Sequence, residues 1–154
     1  MKSRQGLNMC DESDIETLKQ MAEKGDAEAQ FNLGWMYSNG LGVQEDDHEA
    51  VKWYQLAAMQ ECVRAQYSLG LIYTNVLGAH WDDAEAARWL ERAAKQGHSD
   101  AQFLVGKMYD TGTGVMPDKA KARKWLRKAI KQGHEEAREA LAAMGKTAWR
   151  TPYI

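Results

Sequence analysis

Ala29-Gln30-Phe31-Asn32-Leu33-Gly34-Trp35-Met36-Tyr37 returns as Ala65-Gln66-Tyr67-Ser68-Leu69-Gly70-Leu71-Ile72-Tyr73, and again as Ala101-Gln102-Phe103-Leu104-Val105-Gly106-Lys107-Met108-Tyr109. A worn fourth copy starts at Ala137, and the offset is 36 residues each time, with no insertion or deletion. A strict period of that size marks a stacked-repeat solenoid, in which no unit can bury its apolar face alone and neighbours share the core.

The turn and cap residues divide each repeat into two helices. Asp26 is placed to cap a helix over Ala27 to Ser38, and Asn39-Gly40-Leu41-Gly42 stops it, because glycine supplies the positive φ of a tight turn. Asp46 then caps a second helix, with Glu49 three residues on completing a capping-box pair. Ala50, Trp53, Ala57 and Ala58 form its inward stripe. In the third repeat Ser99 and Asp118 are the expected caps, Gly112 and Gly114 the turn, and Gly133 the end. Ahead of the first repeat, Asp11 to Lys24 reads as one helix with Ile15, Leu18, Met21 and Ala22 on an apolar stripe.

The register therefore predicts an all-α solenoid of about eight helices in one domain, residues 11–144. It comprises a half-repeat cap at 11–25, repeats at 26–61, 62–97 and 98–133, and a half-repeat at 134–144. Residues 1–10 are expected to be disordered, and 145–154 to form a tail whose Trp149 and Tyr153 fold back over the last helix or dock in a neighbour's groove.

The second repeat departs from the plan twice. Glu61 stands where the other turns have Gly25, Gly97 and Gly133, and Val76 stands where they have Gly40 and Gly112. A left-handed residue without glycine costs on the order of 1 kcal/mol. The apolar loop Val76 to Trp81 is expected to be irregular, with Trp81 buried locally or held out for a partner.

Gly34, Gly70 and Gly106 fall in mid-helix, where glycine costs about 1 kcal/mol relative to alanine. Their recurrence implies close backbone approach, to Ala50, Ala86 and Ala122. Tyr37, Tyr73 and Tyr109, with Trp53, Trp89 and Trp125, supply the large surfaces between hairpins.

The pattern A-x-[FY]-x-L-G-x-x-Y, then G-x-G-V, Asp, A-x-x-W and A-A-x-Q-G, resembles the Sel-one-like repeat (SLR) family, a relative of the tetratricopeptide repeat. Gly40-Leu41-Gly42-Val43 and Gly112-Thr113-Gly114-Val115 carry its turn, and Ala57-Ala58 and Ala93-Ala94-Lys95-Gln96-Gly97 its second-helix ending. The resemblance covers about residues 15–144. It implies a right-handed α/α superhelix with a concave face lined by first helices, and a non-catalytic adaptor that binds a protein or peptide there. The family supplies no catalytic residue to carry over. Some cysteine-rich members are linked to β-lactam binding and hydrolysis, but their paired cysteines are absent from this chain.

Which residues line the groove follows from helical spacing. Phe31, Trp35 and Asn39 share a face, as do Tyr67, Leu71 and Asn75, then Phe103, Lys107 and Thr111. Phe31, Tyr67 and Phe103 keep their type and read as packing. Trp35, Leu71 and Lys107 change type at one fixed position, which the fold does not dictate, so these three are the candidate ligand contacts. Asn39, Asn75 and Thr111 stand one turn on, where the asparagines either bond a bound peptide backbone or cap their own helix.

Charge gives a second signal. Residues 26–61 carry seven acids and one base, residues 62–97 balance, and residues 98–133 carry three acids and eight bases. A net charge of -2 over 154 residues hides this asymmetry. Lys121, Lys124, Arg127, Lys128 and Lys131 form a basic helix face, with Lys119 and Arg123 close by. Such a face suits solvent, an acidic partner, a second copy's acidic repeat or, with less support from any motif, RNA.

Other chemistry finds no footing. The four histidines show no metal-ligand spacing, the glycine turns lack a preceding strand and a Gly-Lys-Ser/Thr, and no Ser–Lys or Ser–His set is recognisable. No cofactor is called for. Asp46-Asp47-His48-Glu49 is read as capping rather than as a cation site. Cys10 and Cys62 occupy unrelated repeat positions and read as free thiols. With no apolar leader or membrane-length apolar run, a cytoplasmic protein is expected.

Overall fold

A computed structural model describes residues 12–74 and 82–147. Among these residues the chain forms eight helices and no strand: α1 (Glu12–Glu23), α2 (Ala27–Asn39), α3 (Asp47–Met59), α4 (Val63–Tyr73), α5 (Asp83–Lys95), α6 (Ser99–Thr111), α7 (Lys119–Lys131) and α8 (Glu135–Thr147). This is the helical solenoid class that the period implies. Asn75, the Val76–Trp81 loop, Cys10 and the segment from Ala148 with Trp149 and Tyr153 lie outside the described residues. Two compact units divide within α4, between Gln66 and Tyr67.

In the first unit, Asp26 accepts the Ala29 N–H and Gly40 ends α2 at φ 64°. Asp46 caps α3 by accepting from the N–H groups of both His48 and Glu49. The expected capping box is only half formed. The Asp46 N–H donates to the Tyr37 carbonyl, and Glu49 pairs with Lys52 instead. The fully buried residues of α3 are Ala50, Tyr54, Ala57 and Ala58, and Trp53 packs half-buried against the cluster of Ala22, Ala29 and Leu33. Of the α1 stripe, Ile15 and Ala22 are buried, whereas Met21 is 45% exposed.

In the second unit, Ala86, Leu90, Ala93 and Ala94 of α5 and Ala122, Leu126 and Ala129 of α7 are buried. Their small side chains let helices pack closely, and the mid-helix glycines meet the larger ones. A Cβ on Gly106 would lie 2.8 Å from Leu126 Cγ and 3.3 Å from the Ala122 carbonyl oxygen, and one on Gly34 would lie 2.8 Å from Tyr54 Cδ1. The close approach expected at Ala50 and Ala122 is real but secondary, because Tyr54, Leu90 and Leu126 side chains fill the space a methyl would need. The repeated tyrosines and tryptophans are half-buried rather than enclosed. Arg92 and Lys128 extend over the rings of Trp89 and Trp125 at 4.9 and 4.4 Å.

Glu61 takes φ 64°, the one positive φ on a described residue other than glycine. Its carboxylate accepts from Gln66 Nε2 at 3.1 Å, which offsets part of the backbone strain. Glu61→Gly is expected to raise stability by about 0.5–1 kcal/mol, read as a higher urea midpoint with an unchanged m-value.

Candidate ligand groove in the second unit

Histidines begin two of the groove's helices. His98 Nδ1 accepts the Ala101 N–H and His134 Nδ1 accepts the Ala137 N–H, both at 3.3 Å. The expected cap Ser99 is instead the first residue of α6. In repeat register these histidines occupy the position of Asp26, and an unprotonated imidazole nitrogen does the work of its carboxylate.

Each imidazole also lies against an aromatic ring of the preceding repeat. Tyr67 stacks on His98 with centroids 4.2 Å apart, and Phe103 stacks on His134 at 4.6 Å. Burial lowers the His98 pKa from 6.5, with Asp100 opposing, and burial followed by Asp100 raises that of Tyr67. Since the folded His98 pKa is lowered, the unfolded chain takes the proton first. The His98 contribution is thus fully present above pH 6.5 and declines as pH falls from 6.5 through the folded pKa. His98→Asp keeps a capping acceptor, and its urea midpoint is expected to fall less than that of wild type between pH 7 and about 5.

The rings of Tyr67, Phe103 and His134 face an open groove of about 760 Å³. Tyr67 and Leu71 of α4 form one wall, Asp100, Phe103 and Leu104 of α6 the floor, and the Gln132–Glu136 segment the other wall. The His134 ring lies between two carboxylates on the rim, with Nε2 3.3 Å from Asp100 and Nδ1 3.1 Å from Glu136. The site thus joins apolar and aromatic area to exposed carboxylates, a surface suited to a side chain with an apolar stem and a polar head.

The candidates named from sequence spread over both units. Leu71 lines the groove. Lys107 and Thr111 lie farther along α6 and do not line it. Lys107 Nζ is 5.5 Å from the Phe103 centroid, and the Thr111 hydroxyl donates to the Lys107 carbonyl at 3.1 Å. In the first unit Trp35 is 41% exposed, and Asn39 donates its amide to the Trp35 carbonyl at 2.8 Å, back along its own helix. Thr111 and Asn39 share a register position and behave alike. Asn75 is outside the described residues.

Sequence spacing missed most of the groove lining, including Tyr67, Asp100, Phe103, Leu104, His134 and Glu136. Tyr67 and Phe103 recur in type and looked like core, yet they are half-buried with a face on the groove. His134 and Asp100 come from different repeats. The legible signal was the constant spacing of 31 residues from Tyr67 to His98 and from Phe103 to His134.

The basic face is present on α7. Lys121, Lys124, Arg127, Lys128 and Lys131 are exposed, while Ala122, Leu126 and Ala129 point to the core. Lys121 lies 3.9 Å from Asp118 and 5.0 Å from the Tyr109 ring. The Tyr109 hydroxyl donates to Glu91 at 2.5 Å, and that bond, ahead of burial, holds its pKa up at about 12. In the first unit a smaller depression of about 570 Å³ is lined by Lys19, Tyr37, Glu45, Asp46 and Glu49 among others. No group of His, Cys, Asp and Glu among the described residues is arranged to hold a metal ion, and no described helix is long and apolar enough to cross a membrane.

Comparison with known proteins follows the register. The Sel1 repeat model matches residues 27–62, 63–98 and 99–134. A Sel1 repeat protein from Oxalobacter formigenes is 39% identical, covering 84% of this chain and 98% of its own, with a TM-score of 0.77. A protective antigen present in uropathogenic Escherichia coli strains, which displays the SLR fold, is 41% identical with a TM-score of 0.76. The match covers 82% of this chain and 27% of the antigen. The Helicobacter pylori cysteine-rich protein B shares the fold at 22% identity, with a TM-score of 0.62 over 82% of this chain and 96% of its own. No curated protein matches the chain. Three repeats matched in unbroken succession place the chain in the Sel1 repeat family, helical solenoids that generally mediate protein–protein interactions.

Proposed function

We propose that the chain is a non-catalytic adaptor whose second unit holds a peptide segment of a partner protein in the groove between Tyr67, Leu71, Phe103 and His134. The open cavity of about 760 Å³ carries this reading, because it sets half-buried aromatic and aliphatic side chains beside exposed carboxylates on three successive first helices. Extended peptides gain affinity from such grooves by burying side chains against preformed apolar walls.

The exposed basic face of α7 supports a second reading, an acidic partner or RNA held by charge. Panning a displayed peptide library on the full chain separates the two. Peptides held in the groove are expected to lose about tenfold or more in affinity on Leu71→Lys and to keep it on the double variant Lys124→Glu, Arg127→Glu. The reverse pattern, with a steep loss on adding salt, would transfer the function to α7.

A further inference from the structure

Register positions 28, 64, 100 and 136 hold Glu28, Arg64, Asp100 and Glu136. In the first unit the guanidinium of Arg64 lies over the Phe31 ring, 4.3 Å from its centroid, and pairs with Glu28. An aromatic ring, a carboxylate and an arginine thus form one cluster across successive repeats. The second unit repeats the ring as Phe103 and the carboxylate as Asp100, but the arginine's position is taken by Glu136. Two carboxylates therefore flank the ring on the rim of the groove.

Neither carboxylate has a permanent cation among the described residues. Asp100 and Glu136 both contact the imidazole of His134. Arg138 is tied to Glu135 at 2.9 Å, and Lys107 Nζ lies at the Phe103 ring rather than on either acid. The two side chains remain 57% and 71% exposed, facing solvent at the groove.

We infer that the groove of the second unit selects a partner segment bearing an arginine, whose guanidinium pairs with Asp100 and Glu136 beside Phe103 while an adjacent apolar residue packs toward Leu71 and Leu104. This rests on the groove being the peptide site. The chemistry favours arginine over lysine because a planar guanidinium both stacks on a ring and divides its N–H donors between two carboxylates. The first unit already makes this pairing internally.

The test is an NMR titration of the full chain with two capped dipeptides, acetyl-leucyl-arginine amide and its citrulline counterpart, which keeps the shape and loses the charge. The arginine probe is expected to shift the amide signals of Asp100, Phe103 and Glu136 and to bind about tenfold more tightly than the citrulline probe. Asp100→Asn with Glu136→Gln should remove that preference. Glu136→Arg, which restores the first unit's arrangement, should exclude the arginine probe while leaving the fold intact by circular dichroism. Equal binding of both probes to the same amides would overturn the arginine assignment and leave the groove standing. Failure of both probes to move any groove amide would overturn the arginine assignment and the groove reading together.

Discussion

Gly114→Ala is expected to destabilise the second unit by about 3 kcal/mol, the sum of a left-handed backbone penalty of 1–2 and an overpacking cost of similar size. Gly114 has φ 67° in the turn between α6 and α7, and a methyl there would run into the backbone of Asp83, with the Ala84 nitrogen 3.0 Å away. Backbone cannot swing aside as a side-chain tip can, so the turn and the start of α5 would have to separate. Gly97 and Gly133 provide the control. Both have positive φ, 98° and 85°, but nothing lies within 4 Å of an added Cβ. Alanine at either is expected to cost only about 1 kcal/mol. Urea unfolding of the three variants checks this, and equal losses would show that conformation alone, without the clash at Asp83, sets the cost.

Gln102→Leu is expected to cost about 1–2 kcal/mol despite its similar volume and greater hydrophobicity. Gln102 is 5% exposed, and its Nε2 donates to the carbonyl of Ala94 at 3.0 Å near the end of α5. Its Oε1 accepts from Gln132 Nε2 at 2.8 Å. Leucine would leave that carbonyl with the Gly97 N–H at 3.1 Å as its backbone donor, so the loss is that of two side-chain hydrogen bonds and not of a stranded acceptor. The first unit uses the same device, Gln30 to the Ala22 carbonyl at 3.0 Å and Gln60 to Gln30 at 2.8 Å. Gln132→Ala changes an exposed residue and is expected to cost about 1 kcal/mol or less. A loss for Gln132→Ala as large as for Gln102→Leu would place the energy in the Gln–Gln contact rather than in the helix-end carbonyl.

These glutamines mark where reading the chain alone stops. Gln30, Gln66 and Gln102 stand beside Phe31, Tyr67 and Phe103 in the recurring stretch, so their regularity is plain, but their partners lie eight and thirty residues away. A polar side chain's type does not say which helix end it will meet. The histidine caps are a like case. Sequence preference favours Ser99, while the structure uses His98 because its imidazole is held against Tyr67 with Nδ1 toward the helix.

The 36-residue period, the aspartate caps and the glycine turns are local and periodic, and they determined the helical hairpins, their order and the solenoid class without reference to any distant contact. Charge segregation was equally plain, because it needs only counting. Tertiary structure decided that Tyr54 is fully enclosed while its neighbour Trp53 is only half-buried against the core. It also decided which recurring aromatics keep a free face, and that Asp100 and Glu136 meet at one ring from different repeats. The physical reason is that period sets the spacing of helices along the array, whereas a binding surface is made by side chains that become neighbours only when separate helices pack.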